Sequence, residues 1–161
     1  MEEVLITIGY YEYKQWFQHL CEEIDRQRLK AVMQLNAAPL QHYWWLGNDI
    51  IQKQKEQGWG AKLIDQLSVD LQKRYGSDSG YSIRNLKYMR QFADEYPDFP
   101  FVQVPLTQIT WYHHILMLSK VKDLALRAFC MMEANFQVWS QDIMMMQIEN
   151  DYHKKAVANN V

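Results

Sequence analysis

The feature that most limits what this chain can become is how rarely its helical periodicity is interrupted. From about Glu12 to Lys55, Trp16, Leu20, Ile24, Leu29, Val32 and Leu35, then Tyr43, Leu46 and Ile50, recur mostly three to five residues apart. Pro39 alone breaks into that pattern. A proline lacks the backbone N–H and clashes with the preceding turn, so it either kinks one long helix or sits in the first turn of a second. Six Gly and four Pro are spread over 161 residues. With so few breakers, an all-α, multi-helix domain is expected rather than a many-stranded sheet.

The remaining breaks divide the chain further. Gly58-Trp59-Gly60 reads as a tight corner with the tryptophan packed beneath it, and a helix over 61–75 follows with Leu63, Ile64, Leu67 and Leu71 on one face. Gly76-Ser77-Asp78-Ser79-Gly80 has the composition of an exposed turn. Ser82 is placed to cap a helix over 82–96, which Pro97 ends. The stretch 97–108 holds three of the four prolines and reads as a surface connection. Shorter helices are expected over 110–120, 123–135 and 140–152, the last two opening at Asp123 and Ser140. The structure of residues 1–10 is left open, and the polar tail from about Asn150 reads as a frayed end or the start of a linker.

Composition narrows the class. Apolar residues make up 48% and charged residues 22%, a globular balance that excludes a disordered chain. Cys21 and Cys130 lie far apart in a chain large enough to need no staple, so two free thiols in a reducing compartment are expected. No apolar run approaches the roughly 20 residues that span a bilayer, and Met1-Glu2-Glu3 lacks the basic start of a signal peptide. A cytoplasmic protein without a membrane partner is the expectation.

The net charge of −2 conceals an uneven distribution. Residues 1–40 carry four basic and six acidic side chains, and residues 97–161 carry five and six. From Lys73 to Arg90, however, Lys73, Arg74, Arg84, Lys87 and Arg90 stand against Asp78 alone. Two helices joined by a Gly-containing turn, the second one basic, have the outline of a helix-turn-helix, although this turn exceeds the tight motif's three or four residues. On a helical wheel Leu86, Met89, Phe92, Ala93 and Tyr96 share one side of 82–96, suited to packing on 61–75. Arg84, Lys87, Tyr88 and Gln91 lie opposite, with Arg90 at the border. Those side-chain types pair with guanine, adenine and phosphate. Asp94 and Glu95 near the same face would repel phosphates, and basic amphipathic helices are common in proteins that never meet DNA.

Longer stretches carry a resemblance. Tyr43-Trp44-Trp45-Leu46-Gly47, the run Gly58-Trp59-Gly60-Ala61-Lys62-Leu63-Ile64-Asp65-Gln66-Leu67-Ser68, and Tyr81 through Phe92 resemble the N-terminal domain of the YhcG-type nucleases, a bacterial family of the PDDEXK superfamily. The likeness resumes at Trp111-Tyr112-His113-His114-Ile115-Leu116, passes Lys122-Asp123 and closes at Trp139-Ser140, covering roughly 20–157. It implies a helical domain over 1–153 and, over 154–161, the start of a linker to a C-terminal nuclease domain absent from this chain. It also implies a non-catalytic module that holds double-stranded DNA for that nuclease. Arg84, Lys87 and Gln91 would approach groove or phosphates, Asn85, Tyr88 and Arg90 would flank them, and Lys73 and Arg74 would touch the backbone.

Enzymatic alternatives find little purchase. A PDDEXK centre needs an Asp followed by an acid and a Lys one residue apart, to hold a divalent metal and steady the attacking water. The lone Glu12-Tyr13-Lys14 has no upstream Asp. His113 and His114 point about 100° apart on a helix without the third ligand of a zinc motif, so all five histidines read as structural. No catalytic residue, metal or cofactor is expected in this chain. The alternative to DNA binding is a protein-interaction or dimerisation scaffold, with a possible homodimer. It draws on Met144-Met145-Met146, three consecutive residues that cannot all face one core.

Overall fold

Pro39 does not divide the first helix. In the computed structural model, which describes residues 9–99 and 105–159, helix α1 runs unbroken over Tyr10–Gln57, 48 residues long, with Pro39 inside it. An interior proline costs about 3 kcal/mol in an isolated helix. Here the segment just beyond it is held by burial of Leu40, Gly47, Ile50 and Ile51, so tertiary packing overrides the local cost. The helix ends where Gly58 takes a left-handed conformation, φ 66°.

Six further helices follow among the described residues: α2 Lys62–Tyr75, α3 Ile83–Glu95, α4 Trp111–Lys120, α5 Leu124–Phe136, α6 Gln141–Glu149 and α7 Tyr152–Asn159, with a 3-10 turn at Pro105–Gln108 and no strand. The domain is all-α, as expected. Three N-caps behave as the sequence indicates. Ser82 Oγ accepts from Asn85 N, Asp123 from Ala125 N and Leu126 N, and Ser140 Oγ from Ile143 N. Each removes an orphan donor from a first turn.

Other expectations shift. The helix expected over 140–152 is two, because Asp151 adopts a left-handed φ of 54° and turns the chain after α6. Helix α7 then buries His153, so the stretch expected as linker is helical as far as Asn159. Trp59 is not packed beneath its corner but 51% exposed. The corner lies at the periphery, where a Cβ on Gly58 or Gly60 would meet nothing within 4 Å. The first eight residues and 100–104, part of the expected surface connection, lie outside the described residues.

The core is organised on α3. Its Leu86, Met89 and Phe92 are fully buried, and α3 as a whole lies mainly against α1 rather than α2. The reason is Gly47: a Cβ there would stand 2.0 Å from the Met89 carbonyl oxygen and 2.5 Å from its carbon. The two helices meet backbone to backbone at a point only glycine fits. Around Phe92 stand Tyr96, Phe99, Trp111 and His114, ring centroids 5.3 to 5.6 Å away. Trp44 Nε1 donates to the Tyr96 carbonyl at 2.9 Å, tying α1 to the end of α3.

Gly47→Ala is therefore expected to destabilise the fold by about 2 kcal/mol despite alanine's better helix propensity, because an extra methyl forces the helices apart. Gly60→Ala, whose Cβ meets nothing within 4 Å, serves as control and should melt like wild type. Thermal unfolding followed by circular dichroism checks both. Equal midpoints for the two variants would refute the close-approach reading.

Candidate nucleic-acid interface

The outer side of α3 depends on how the seven residues between α2 and α3 are pinned. Ser68 Oγ, buried on α2, donates to the Tyr81 carbonyl at 2.7 Å, and Gln72 Nε2 donates to Ser68 Oγ at 2.7 Å. These bonds fix the entry to α3 although the turn is longer than in the tight motif. Asn85 then works in two directions. Its Nδ2 donates to the Gly80 carbonyl, and its Oδ1 accepts from Trp111 Nε1 at 2.9 Å. One amide thus locks the turn, α3 and α4 together.

The eight basic and polar residues singled out from sequence separate into two groups. Arg84 and Lys87 are exposed on α3, and Lys73 and Arg74 are exposed in the last turn of α2. Among the described residues, none of these four cations has a carboxylate within 4 Å. Arg84 lies over the Tyr88 ring, 5.6 Å from its centroid, and Arg74 over Tyr75 at 5.7 Å. Tyr88 itself is half-buried. Asn85, Arg90 and Gln91 are instead engaged within the fold. Arg90 Nε donates to Gln54 Oε1 at 2.6 Å and Gln91 Nε2 to the Leu118 carbonyl at 3.0 Å. The geometry gives these three the work of holding α3 against α1 and α4.

Beside Arg84 lies an open cleft of about 390 Å³, lined by Tyr43, Ser82, Asn85, Tyr88, Tyr112 and Gln141 among others. Tyr112 and Gln141 were not singled out from sequence. A signal for Tyr112 existed: buried Trp111 and His114 stand one turn apart, which leaves Tyr112 outward and 64% exposed. On the other flank an aromatic chain joins α1 to α2. His42 stacks near Trp45 at 6.1 Å, bonds Tyr81 Oη from Nε2 at 3.0 Å, and Tyr81 lies 6.0 Å from Tyr75. Exposed Trp45, Tyr75 and Arg74 therefore adjoin the turn that leads to Arg84.

Acidic residues near the end of α3 are partly neutralised. Glu95 accepts from Arg127 Nη2 at 3.2 Å, and Arg127, though a cation, is 1% exposed. Its Nε donates to the Val121 carbonyl, so Arg127 is a brace between α3 and the start of α5. Asp94 stays exposed.

The histidines near the site serve the fold. His113 Nε2 lies 2.8 Å from the Trp139 carbonyl, which can only accept, so the neutral ring carries its proton there. Nδ1 then accepts from Thr110, with Oγ1 at 2.7 Å, closing the N-terminus of α4. His114 Nε2 likewise faces the Leu106 carbonyl at 2.7 Å from a fully buried ring. The Cys130 thiol is buried, which pushes its pKa up to about 11. Glu12-Tyr13-Lys14 sits on the exposed start of α1, where the Lys14 ammonium lies 4.9 Å over the Tyr10 ring. Among the described residues, no three His, Cys, Asp or Glu side chains gather as a metal set, and no helix is long and apolar enough to cross a membrane.

A helical domain with a braced helix-turn-helix-like pair and an outward basic face defines the class. The chain belongs to the DUF1016 N-terminal domain family, the YhcG-type N-terminal domain, whose model matches residues 19–155. No curated protein and no solved structure matches it.

Burial depresses the pKa of His114 to about 4, outweighing the Leu106 hydrogen bond that acts the other way, and burial also lowers that of His113. The unfolded chain takes up these protons near pH 6.5, whereas folded His114 resists until about pH 4. Stability is thus complete above about pH 6.5 and falls as the pH drops toward 4, by about 3 kcal/mol from His114. His114→Gln keeps a donor for Leu106 and should flatten this slope, as denaturant melts between pH 4 and 7 will register. An unchanged slope would contradict the assignment.

Proposed function

We propose that this chain is a non-catalytic DNA-binding module that holds double-stranded DNA on the outer face of α3, and that in its family it delivers DNA to a C-terminal PDDEXK nuclease domain. The observation that carries the reading is the pair Arg84 and Lys87. Both are exposed and lack carboxylate partners among the described residues, on a helix locked from below by Leu86, Met89 and Phe92. A rigid cationic helix face loses little side-chain and backbone freedom on meeting phosphate, which favours binding. Lys73 and Arg74 extend the positive surface along the neighbouring strand of phosphates, since both close the helix that precedes the pinned turn. Tyr88 and Tyr112, lining the cleft next to Arg84, supply aromatic and hydroxyl contacts to sugar and base edges. Asn85, Arg90 and Gln91 act as positioning residues, holding α3 at the angle at which its cations face outward.

Binding should be micromolar or weaker and should fall steeply with salt. With four cations displacing counterions, log K against log salt should have a slope of about −3 to −4. Arg84→Ala with Lys87→Ala should weaken duplex binding by at least about tenfold and make the slope shallower by about 2, while leaving the thermal midpoint nearly unchanged. Fluorescence anisotropy of a labelled duplex over a salt series reads both quantities. Equal affinity in the double variant, or no retention of duplex at low salt by the wild-type chain, would overturn the proposal.

A further inference from the structure

Among the described residues, nothing in the N-terminal half of α1 is fully buried. Its first buried residue is Leu40, thirty positions after Tyr10. Yet this arm carries a coherent apolar seam. Tyr13, Phe17, Leu20, Ile24, Ala31 and Leu35 fall within about 40° of one line along the helix at 100° per residue. Phe17 is 51% exposed, Leu20 38%, Ile24 40% and Leu35 76%. An amphipathic helix with its apolar stripe in water implies something that covers it.

The charges flanking the seam say what that is. Acidic residues Glu22, Glu23 and Asp25 precede basic residues Arg26, Arg28 and Lys30, so the arm reverses sign at its middle. A parallel second copy would set like against like. An antiparallel copy sets the acidic half of each arm against the basic half of the other. In one register both flanks are satisfied together: Glu23 and Lys30 share one side of the seam, Asp25 and Arg28 the other, and each meets its opposite across a two-fold axis between residues 26 and 27. Among the described residues, Asp25, Arg28 and Lys30 have no ion pair within their own chain, while Glu23 bonds Arg26 and Gln27 one turn on.

The same register places the partner's aromatic tip at a ready groove. Phe17 of one arm, with Tyr13 one turn before it, would arrive beside Leu35 of the other. There a groove of about 780 Å³ runs between the arm and the body, lined by Val32, Leu35, Ala134, Phe136 and Val138 among others. Phe136 is 84% and Val138 83% exposed at its rim. Covering the seam and both grooves removes on the order of 1,000 Å² or more from water, the scale of a specific interface.

We propose that the chain forms a homodimer by antiparallel pairing of its N-terminal arms, the aromatic tip of each seated in the groove at the base of the other. The dimer presents two α3 faces related by a two-fold axis. It stands apart from the DNA reading, since arm and α3 face share no residue.

Sedimentation over low to hundreds of micromolar protein, beside disulfide trapping, tests the pairing. The wild-type chain should dimerise, and Ile24→Glu should weaken the dimer at least about tenfold while helicity and thermal midpoint hold, the side chain being exposed. Glu23→Lys and Lys30→Glu should each weaken it, and the two together should restore it. In the proposed register Cys21 lies opposite Val32 of the other copy on the same flank, so Val32→Cys should yield a Cys21 to residue 32 cross-link between copies under mild oxidation, mapped by mass spectrometry. A wild-type monomer throughout the range, a dimer indifferent to Ile24→Glu, or a Cys21 to Cys21 cross-link in the wild-type chain would overturn the proposal.

Discussion

The contact on which the rest of the structure depends is the backbone crossing of α1 and α3 at Gly47 and Met89. Because no side chain intervenes, α3 sits deep enough on α1 for Leu86, Met89 and Phe92 to be fully buried, and Phe92 becomes the hub of an aromatic cluster with Tyr96, Phe99, Trp111 and His114. Any larger residue at 47 would lift α3, open that cluster and detach Trp111 from Asn85. The outward direction of Arg84 and Lys87 follows from what is fixed beneath them, not from anything those two side chains do.

Polar groups near α3 divide by the same logic. Those on its underside and borders have partners inside the fold: Asn85 with Trp111 and Gly80, Arg90 with Gln54, Gln91 with Leu118. His113 and His114 face the carbonyls of Trp139 and Leu106, and Arg127 clamps Glu95. Each of these bonds satisfies one atom that would otherwise be costly in a low-dielectric surround, while Glu95 Oε2, Arg127 Nη1 and His114 Nδ1 stay without a hydrogen-bond partner. Lys73, Arg74, Arg84 and Lys87, by contrast, are exposed and have no carboxylate partner among the described residues. A fixed helix face whose exposed cations lack carboxylate partners is suited to an anionic polymer of regular charge spacing, which is why double-stranded DNA is the reading we favour.

Much of this was legible in the amino-acid sequence because it is local. Ser82, Asp123 and Ser140 announce helix starts through side chains that reach only two or three residues, and the buried stripe of α3 follows from periodicity alone. The basic face was legible for the same reason. What escaped depends on partners distant in sequence. Arg90 carries the same guanidinium as Arg84, and Gln91 is as polar at its tip as the residues around it; only tertiary neighbours 36 and 27 residues away engage them within the fold. Pro39 left open one kinked helix or two, because its local cost is real, and the burial of Leu40 and Ile50 decides for one. Asp151 ends α6 by backbone conformation, for which an aspartate is a weak signal. Trp59 is large and apolar, which argues for burial until the corner proves to have nothing above it.

The molecule thus has a head in which α3 is braced and a long arm whose first buried residue is Leu40. The most direct measurement of the head's role is a duplex titration followed by amide resonances of the folded chain. Shifts should gather at residues 73–75 and 80–91 and around Tyr112, with the core amides of α5 and α6 unmoved. Shifts confined to other elements, or a spectrum indifferent to duplex at low salt, would contradict the claim that the outer face of α3 meets DNA.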